Sequence, residues 1–187
     1  MDECMDITIS NYLKIFEYFH EDEFCMGNGI LVEHYLVTAA HVAISAGRLN
    51  FTHEGKQYHL DVENAIFIKD IKTQEEICDL AIFDIGENLS PLFFADDIPA
   101  VSNEYQSISF RPSDRKLISC HVVLDSIVHK AMLCKTDVEL REGSSGSPLI
   151  LNGKVYGILI GGFPNEDKYM ILYQPLHEIN KFLQLTF

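Results

Sequence analysis

Glu142-Gly143-Ser144-Ser145-Gly146-Ser147-Pro148-Leu149-Ile150 is the stretch around which the 187-residue chain is organised. Gly143 and Gly146 leave out side chains where the backbone must bend sharply and be approached closely. The result is a serine hydroxyl beside bare backbone N–H groups. Such groups can hold the oxyanion of an acyl-transfer intermediate, one donor contributing about 2.7–4 kcal/mol. Taken alone, Gly-Ser-Ser-Gly-Ser also has the composition of a flexible linker. Partners elsewhere in the chain decide between the two.

Downstream, Asn152-Gly153 separates two apolar runs, residues 148–151 and 154–160, and signals a two-residue hairpin. Residues 168–173 form another strand. From Pro175 to Leu183, the apolar residues Leu176, Ile179, Phe182 and Leu183 recur at helical spacing and predict a terminal helix. Upstream, residues 105–110, 116–125 and 127–135 read as strands, preceded by a connection at 86–100 that carries Pro91 and Pro99. Residues 76–85 form an apolar strand interrupted by acids, in which Asp79 opens the run Leu80-Ala81-Ile82-Phe83. A carboxylate at the edge of such a run is partly desolvated and needs good hydrogen-bond partners; otherwise it is a turn-forming Asp.

The first third reads as strands at 11–20, 25–32 and 35–38, then Ala39-Ala40-His41-Val42-Ala43, whose small residues predict a tight helical turn carrying His41. Short strands follow at 50–51, 57–60 and 65–69, with His53-Glu54-Gly55-Lys56 as a turn between the first two. Many short strands, many turns and little helix make an all-β pattern of barrels or sandwiches.

Composition narrows the function. With 47% hydrophobic residues the chain can bury a sizeable core. No run reaches the roughly 18 apolar residues of a membrane span, and the acidic start Met1-Asp2-Glu3-Cys4-Met5-Asp6 is followed by no apolar signal core. A net charge of −14 repels a phosphate backbone and suits basic partners or substrates. No nucleic-acid or membrane partner is therefore expected. Cys4, Cys25, Cys78, Cys120 and Cys134 are odd in number, without metal-ligand spacing. That predicts reduced, mostly buried thiols in a cytoplasmic protein, with no structural zinc and no cofactor.

Three segments stand out in chain order: Thr38-Ala39-Ala40-His41, Asp79-Leu80-Ala81-Ile82 and Gly143-Ser144-Ser145-Gly146-Ser147-Pro148. In them the chain resembles the trypsin-like serine proteases of the chymotrypsin fold, which carry T-A-A-H, D-[IL]-A-L and G-[DN]-S-G-G-P motifs in this order. The resemblance spans residues 11 to 184. It implies two six-stranded antiparallel barrels with a C-terminal helix. Residues 1–90 would carry the histidine and aspartate, and 91–187 the serine. It assigns His41 as general base and acid, Asp79 as the group fixing its tautomer, Ser145 as nucleophile, and the N–H groups of Gly143 and Ser145 as the oxyanion hole. A serine hydroxyl is a poor nucleophile and needs such a base, with a pKa near neutrality and a carboxylate to aim it.

The chain also departs from the family pattern. Spacings of 38 residues from His41 to Asp79 and 66 from Asp79 to Ser145 resemble the compact bacterial and viral members. Ser144 replaces the aspartate that pairs with a newly cut N-terminus in zymogen-activated members, so the loop is to be ordered by other contacts or by an activating partner protein. Ser147 stands at the second glycine. Val42 and Arg141 occupy half-cystine positions of secreted members, in keeping with an intracellular home. The resemblance places the substrate pocket at Glu139, Leu140, Leu159, Ile160, Gly161 and Gly162. Thr136-Asp137 is similar to the Deg-type heat-shock proteases, and Leu140, Leu159 and Ile160 make the pocket apolar. Glu139, six residues before Ser145, matches the acid with which trypsin binds basic side chains, or is a solvated loop residue.

The expectation is an intracellular serine endopeptidase acting on protein or peptide substrates. The alternative is a catalytically silent module of this fold that binds peptides or a partner protein. An α/β-hydrolase is excluded, because it needs glycine at Ser147, a helix after the serine and histidine last in order.

Overall fold

The computed structural model describes residues 9–69, 76–111, 115–128, 131–136, 138, 143–177, 179 and 183. The chain is all-β, with fourteen strands and the short helix α1 (Ala40–Ala46) among these residues. The first half holds β1 (Leu13–His20), β2 (Glu23–Val32), β3 (Tyr35–Thr38), β4 (Arg48–His53), β5 (Lys56–Asp61), β6 (Ile66–Lys69) and β7 (Glu76–Asp84). The second holds β8 (Phe93–Phe94), β9 (Glu104–Arg111), β10 (Lys116–Val128), β11 (Ala131–Thr136), β12 (Pro148–Leu151), β13 (Lys154–Asn165) and β14 (Lys168–Pro175).

The second half closes on itself: the ladder runs β12-β9-β10-β11-β14-β13, and β13 pairs back to β12 to complete a six-stranded antiparallel barrel. β8 adds a short parallel pairing to β13. The first half is a five-stranded ladder, β1-β2-β3-β7-β6, with the β4–β5 hairpin as a separate pair. A 3₁₀ turn at Val62–Asn64 leads from β5 into β6. Side chains carry β4 back to β1: Phe16 meets Phe51 edge-on at 6.5 Å, and Lys14 Nζ donates to the Thr52 carbonyl at 2.9 Å. Glu54-Gly55 and Asn152-Gly153 turn their hairpins with both φ angles positive (50° and 80°, 52° and 77°), the primed geometry that matches strand twist.

Three apolar clusters explain why several strands are hydrophobic on both faces. In β2, β3 and β7, alternate residues divide. Leu31, Leu36, Ala81 and Phe83 fill the interior of the first half with Phe16, Val42 and Phe51. Ile30, Val32, Tyr35, Val37, Leu80 and Ile82 face the other way, into a seam shared with Ile108, Ile150, Val155 and Ile158 of the second half. The second barrel has its own core around Tyr105, Leu124, Met132, Leu149 and Tyr173. Leu149 has no exposed surface. Its replacement by alanine should cost about 2–5 kcal/mol, as deletion of a buried leucine does. Equilibrium urea unfolding checks this.

The connection at 86–100 changes sides between Leu92, whose carbonyl accepts from Glu33 N–H, and Phe93, whose N–H donates to the Gly153 carbonyl. The predicted terminal helix falls largely outside the described residues. Leu176, Ile179 and Leu183 of its apolar stripe are buried in the seam. No helix among the described residues is long and apolar enough to cross a membrane. Cys120 and Cys134 are buried free thiols of the second core and Cys25 is half-buried. Burial raises the Cys120 thiol to about 11 and the Cys134 thiol to about 12, so both stay protonated.

Candidate active site

Strand register brings the first two groups together. Thr38, the last residue of β3, pairs with Ala81 of β7. Beyond that pair the chain turns at Ala39 into α1, so His41 sits at the end of the sheet where Asp79, two residues before Ala81, also lies. The first-turn N–H groups of a helix lack intrahelical partners, and Ala39 gives α1 no side-chain cap. Asp79 supplies the acceptor from the neighbouring strand: its Oδ1 accepts the His41 backbone N–H at 2.9 Å, and its Oδ2 lies 2.5 Å from His41 Nδ1. One carboxylate therefore caps the helix and orients the ring it carries.

Burial alone would raise the Asp79 pKa, but the hydrogen bonds from the His41 ring and from the His41 and Ala40 N–H groups outweigh it and hold the carboxyl below its ordinary range. A depressed carboxylate contributes stability that is fully present above its unfolded pKa and is lost as pH falls through the folded one. The unfolding free-energy difference between the wild type and Asp79→Ala should therefore shrink on acidification below about pH 4. Urea titrations of both proteins across pH check the sign.

The serine comes from the second half. Ser144 to Ser147 form a tight turn in which the Ser144 carbonyl accepts from Ser147 N–H at 3.1 Å and from Ser147 Oγ at 2.5 Å. Pro148 then opens β12, its carbonyl held by Ser107 Oγ at 2.9 Å and that hydroxyl in turn by Tyr173 OH at 2.8 Å. Gly146 N–H donates to the Leu159 carbonyl and Leu159 N–H to the Ser147 carbonyl, both at 2.8 Å. The turn also reaches the first half: Asn28 N–H donates to the Ser145 carbonyl at 2.7 Å, and Asn28 Nδ2 donates to the Gly143 carbonyl at 2.7 Å. Thr38 Oγ1 donates to the Asn28 carbonyl at 2.6 Å, tying the same spot to the strand that leads to His41. Glycine at 146 follows directly, because a Cβ there would lie 1.6 Å from the Asn28 carbonyl oxygen and φ is +92°. Gly143, at φ +95°, is the second glycine the turn requires.

Ser145 is half-buried, while Ser144 and Ser147 are buried. Among the described residues, the N–H groups of Gly143 and Ser145 donate to no backbone acceptor, which is what an anion-binding pair requires. Among the same residues no hydrogen bond joins Ser145 Oγ to the His41 ring. Glu139 and Leu140 lie outside the described residues. Leu159 is buried in the second core, so its backbone rather than its side chain adjoins the serine turn. Ile160 sits at a register break between β13 and β14 and packs on the interior of the first half. Gly161 is half-buried with open space beside its Cα, and Gly162 is exposed. No cluster of three or more metal-ligating side chains occurs among the described residues.

The sequence motifs passed over Asn28 and understated Ser147. A polar residue set between two glycines inside an otherwise apolar strand was the signal for the first.

A family model described as the trypsin-like peptidase domain matches residues 25–158. Among solved structures, the chain is similar to an inactivated protease paralogue of the scabies mite, with TM-score 0.68 and 14% identity over 96% of each chain. It is likewise similar to the active form of the Rv3671c protease of M. tuberculosis, with TM-score 0.68 and 18% identity over 96% of this chain and 82% of that one. At such identities the likeness speaks to the fold. Among curated protein sequences, none matches.

Proposed function

Because the chain belongs to the trypsin-like peptidase family, we propose that it is a serine endopeptidase cleaving peptide bonds through an acyl-enzyme on Ser145. His41 takes the Oγ proton as Ser145 attacks the scissile carbonyl and delivers it to the departing amine. A water molecule, activated by the same imidazole, then releases the acid product. Asp79 keeps the Nδ1 proton in place and stabilises the imidazolium. The N–H groups of Gly143 and Ser145 hold the oxyanion. The observation that carries this reading is the paired His41 and Asp79 on the sheet to which Asn28 binds the Ser145 carbonyl.

The substrate is a protein or peptide in the cytoplasm. The net charge of −14 favours basic segments. Labelling of Ser145 by a fluorophosphonate, located by peptide mapping, tests the proposal; a chain that stays unlabelled overturns it.

A second reading, a silent module that binds peptides in the same cleft, is favoured by the absence, among the described residues, of a hydrogen bond between Ser145 Oγ and the His41 ring, whose side-chain partner there is Asp79. Catalytic hydrogen bonds in ligand-free sites are often long and tighten with substrate, so the bond's absence does not outweigh the paired histidine and carboxylate. Peptide binding without labelling would decide for the module.

A further inference from the structure

Asn28 has no exposed surface. Its flanking glycines have no room for side chains, since a Cβ at Gly27 would meet Val42 at 2.6 Å and one at Gly29 would meet the Phe16 ring at 2.9 Å. Of the bonds Asn28 makes to the serine turn, the one to the Ser145 carbonyl comes from its backbone, and any residue other than proline would make it. Only the Nδ2 bond to the Gly143 carbonyl uses the side chain. A serine hydroxyl is shorter, glutamine adds a methylene, and an ionised aspartate offers oxygen where a donor is needed. The amide's orientation is dictated by its partner, because a carbonyl only accepts. That leaves Asn28 Oδ1 buried without a partner among the described residues. An orphaned buried acceptor is unfavourable and calls for a reason.

The reason lies in the turn. A glycine at φ +95° has unusual conformational freedom, so the direction of the Gly143 peptide is soft unless something holds it. On the reading that Ser145 is the nucleophile, we propose that Asn28 is a positioning residue: from the opposite half, its carboxamide fixes the Gly143–Ser144 peptide and so aims the N–H groups of Gly143 and Ser145 at the oxyanion. This supplies, from within the chain, an ordering contact for a loop that lacks the aspartate used by zymogen-activated members.

The test compares wild type, Asn28→Ala and Asn28→Asp as full-length proteins, by peptide hydrolysis across pH and by amide hydrogen exchange. Asn28→Ala should lower kcat about 10–100-fold, somewhat less than outright loss of an oxyanion donor, with KM little changed. Asn28→Asp is isosteric and guards against a chain that fails to fold. Its buried carboxyl, with a raised pKa, stays protonated at low pH and donates to Gly143 as the amide does. Activity relative to wild type should therefore be near one on the acid side and fall as pH rises. Exchange at Gly146 and Ser147 should quicken in Asn28→Ala, while β9–β11 keep their protection. Wild-type kcat in Asn28→Ala, a wild-type pH profile in Asn28→Asp, or exchange quickened evenly through both halves overturns the proposal. If wild type itself neither turns over nor takes the fluorophosphonate, the catalytic reading fails. The exchange difference then decides alone whether Asn28 holds the loop.

Discussion

Ser145→Ala is expected to yield a folded chain whose kcat on casein or a peptide ester is lower by about 10⁶. The fold should survive because the structure holds this residue by its backbone: the Ser145 carbonyl accepts from Asn28, and its neighbours Gly146 and Ser147 bond to Leu159. Alanine at 145 keeps every one of those bonds. Chemistry should not survive, since water at the same place has no covalent route to an acyl-enzyme. Residual catalysis would come from the oxyanion donors and binding alone. Thermal melts, hydrolysis assays and fluorophosphonate labelling of both proteins check the three parts. Turnover comparable to wild type would remove Ser145 from the reaction.

Asp79→Asn should lower kcat about 10⁴-fold with little change in peptide binding. The carboxamide is the same shape, and its oxygen can still accept the His41 backbone N–H that Asp79 Oδ1 accepts now at 2.9 Å. Facing His41 Nδ1, however, it presents an NH₂ group. Nδ1 must then accept, so the ring's proton moves to Nε2, where it points at the serine and can no longer receive that hydroxyl's proton. A silent binding module would show no such loss, because peptide affinity does not depend on the tautomer. Rates of hydrolysis measured beside peptide titrations separate the two readings; equal kcat in mutant and wild type would deny Asp79 its role.

Much of the fold is legible in the sequence because the turns are chemically explicit. Asn152-Gly153 and Glu54-Gly55 turn as their residues require, and Tyr35–Thr38 is the strand expected. Runs such as Leu80-Ala81-Ile82-Phe83 were harder, since a stretch apolar at every position does not show that its odd and even residues face two different cores. Phe93–Phe94 escaped notice as a strand because it is two residues long and bonded only to distant β13. At the site, histidine, aspartate and serine announce themselves by residue type and motif. Asn28 does not: its meaning lies in a carbonyl 115 residues away, which no local pattern displays. The direction of Leu159 is hidden for a related reason: its side chain turns into the barrel and leaves its backbone beside the serine turn.

The apolar seam between the halves has a consequence for how such a chain can be divided or recombined. Each half exposes to the other a surface as greasy as its own interior, with Val37 and Ile82 on one side meeting Ile150 and Ile158 on the other. Neither half is therefore a portable unit. A chimaera taking its first half from one protein and its second from another inherits two mismatched faces, and the misfit falls between the strand pair that carries His41 and Asp79 and the strand that follows the serine turn.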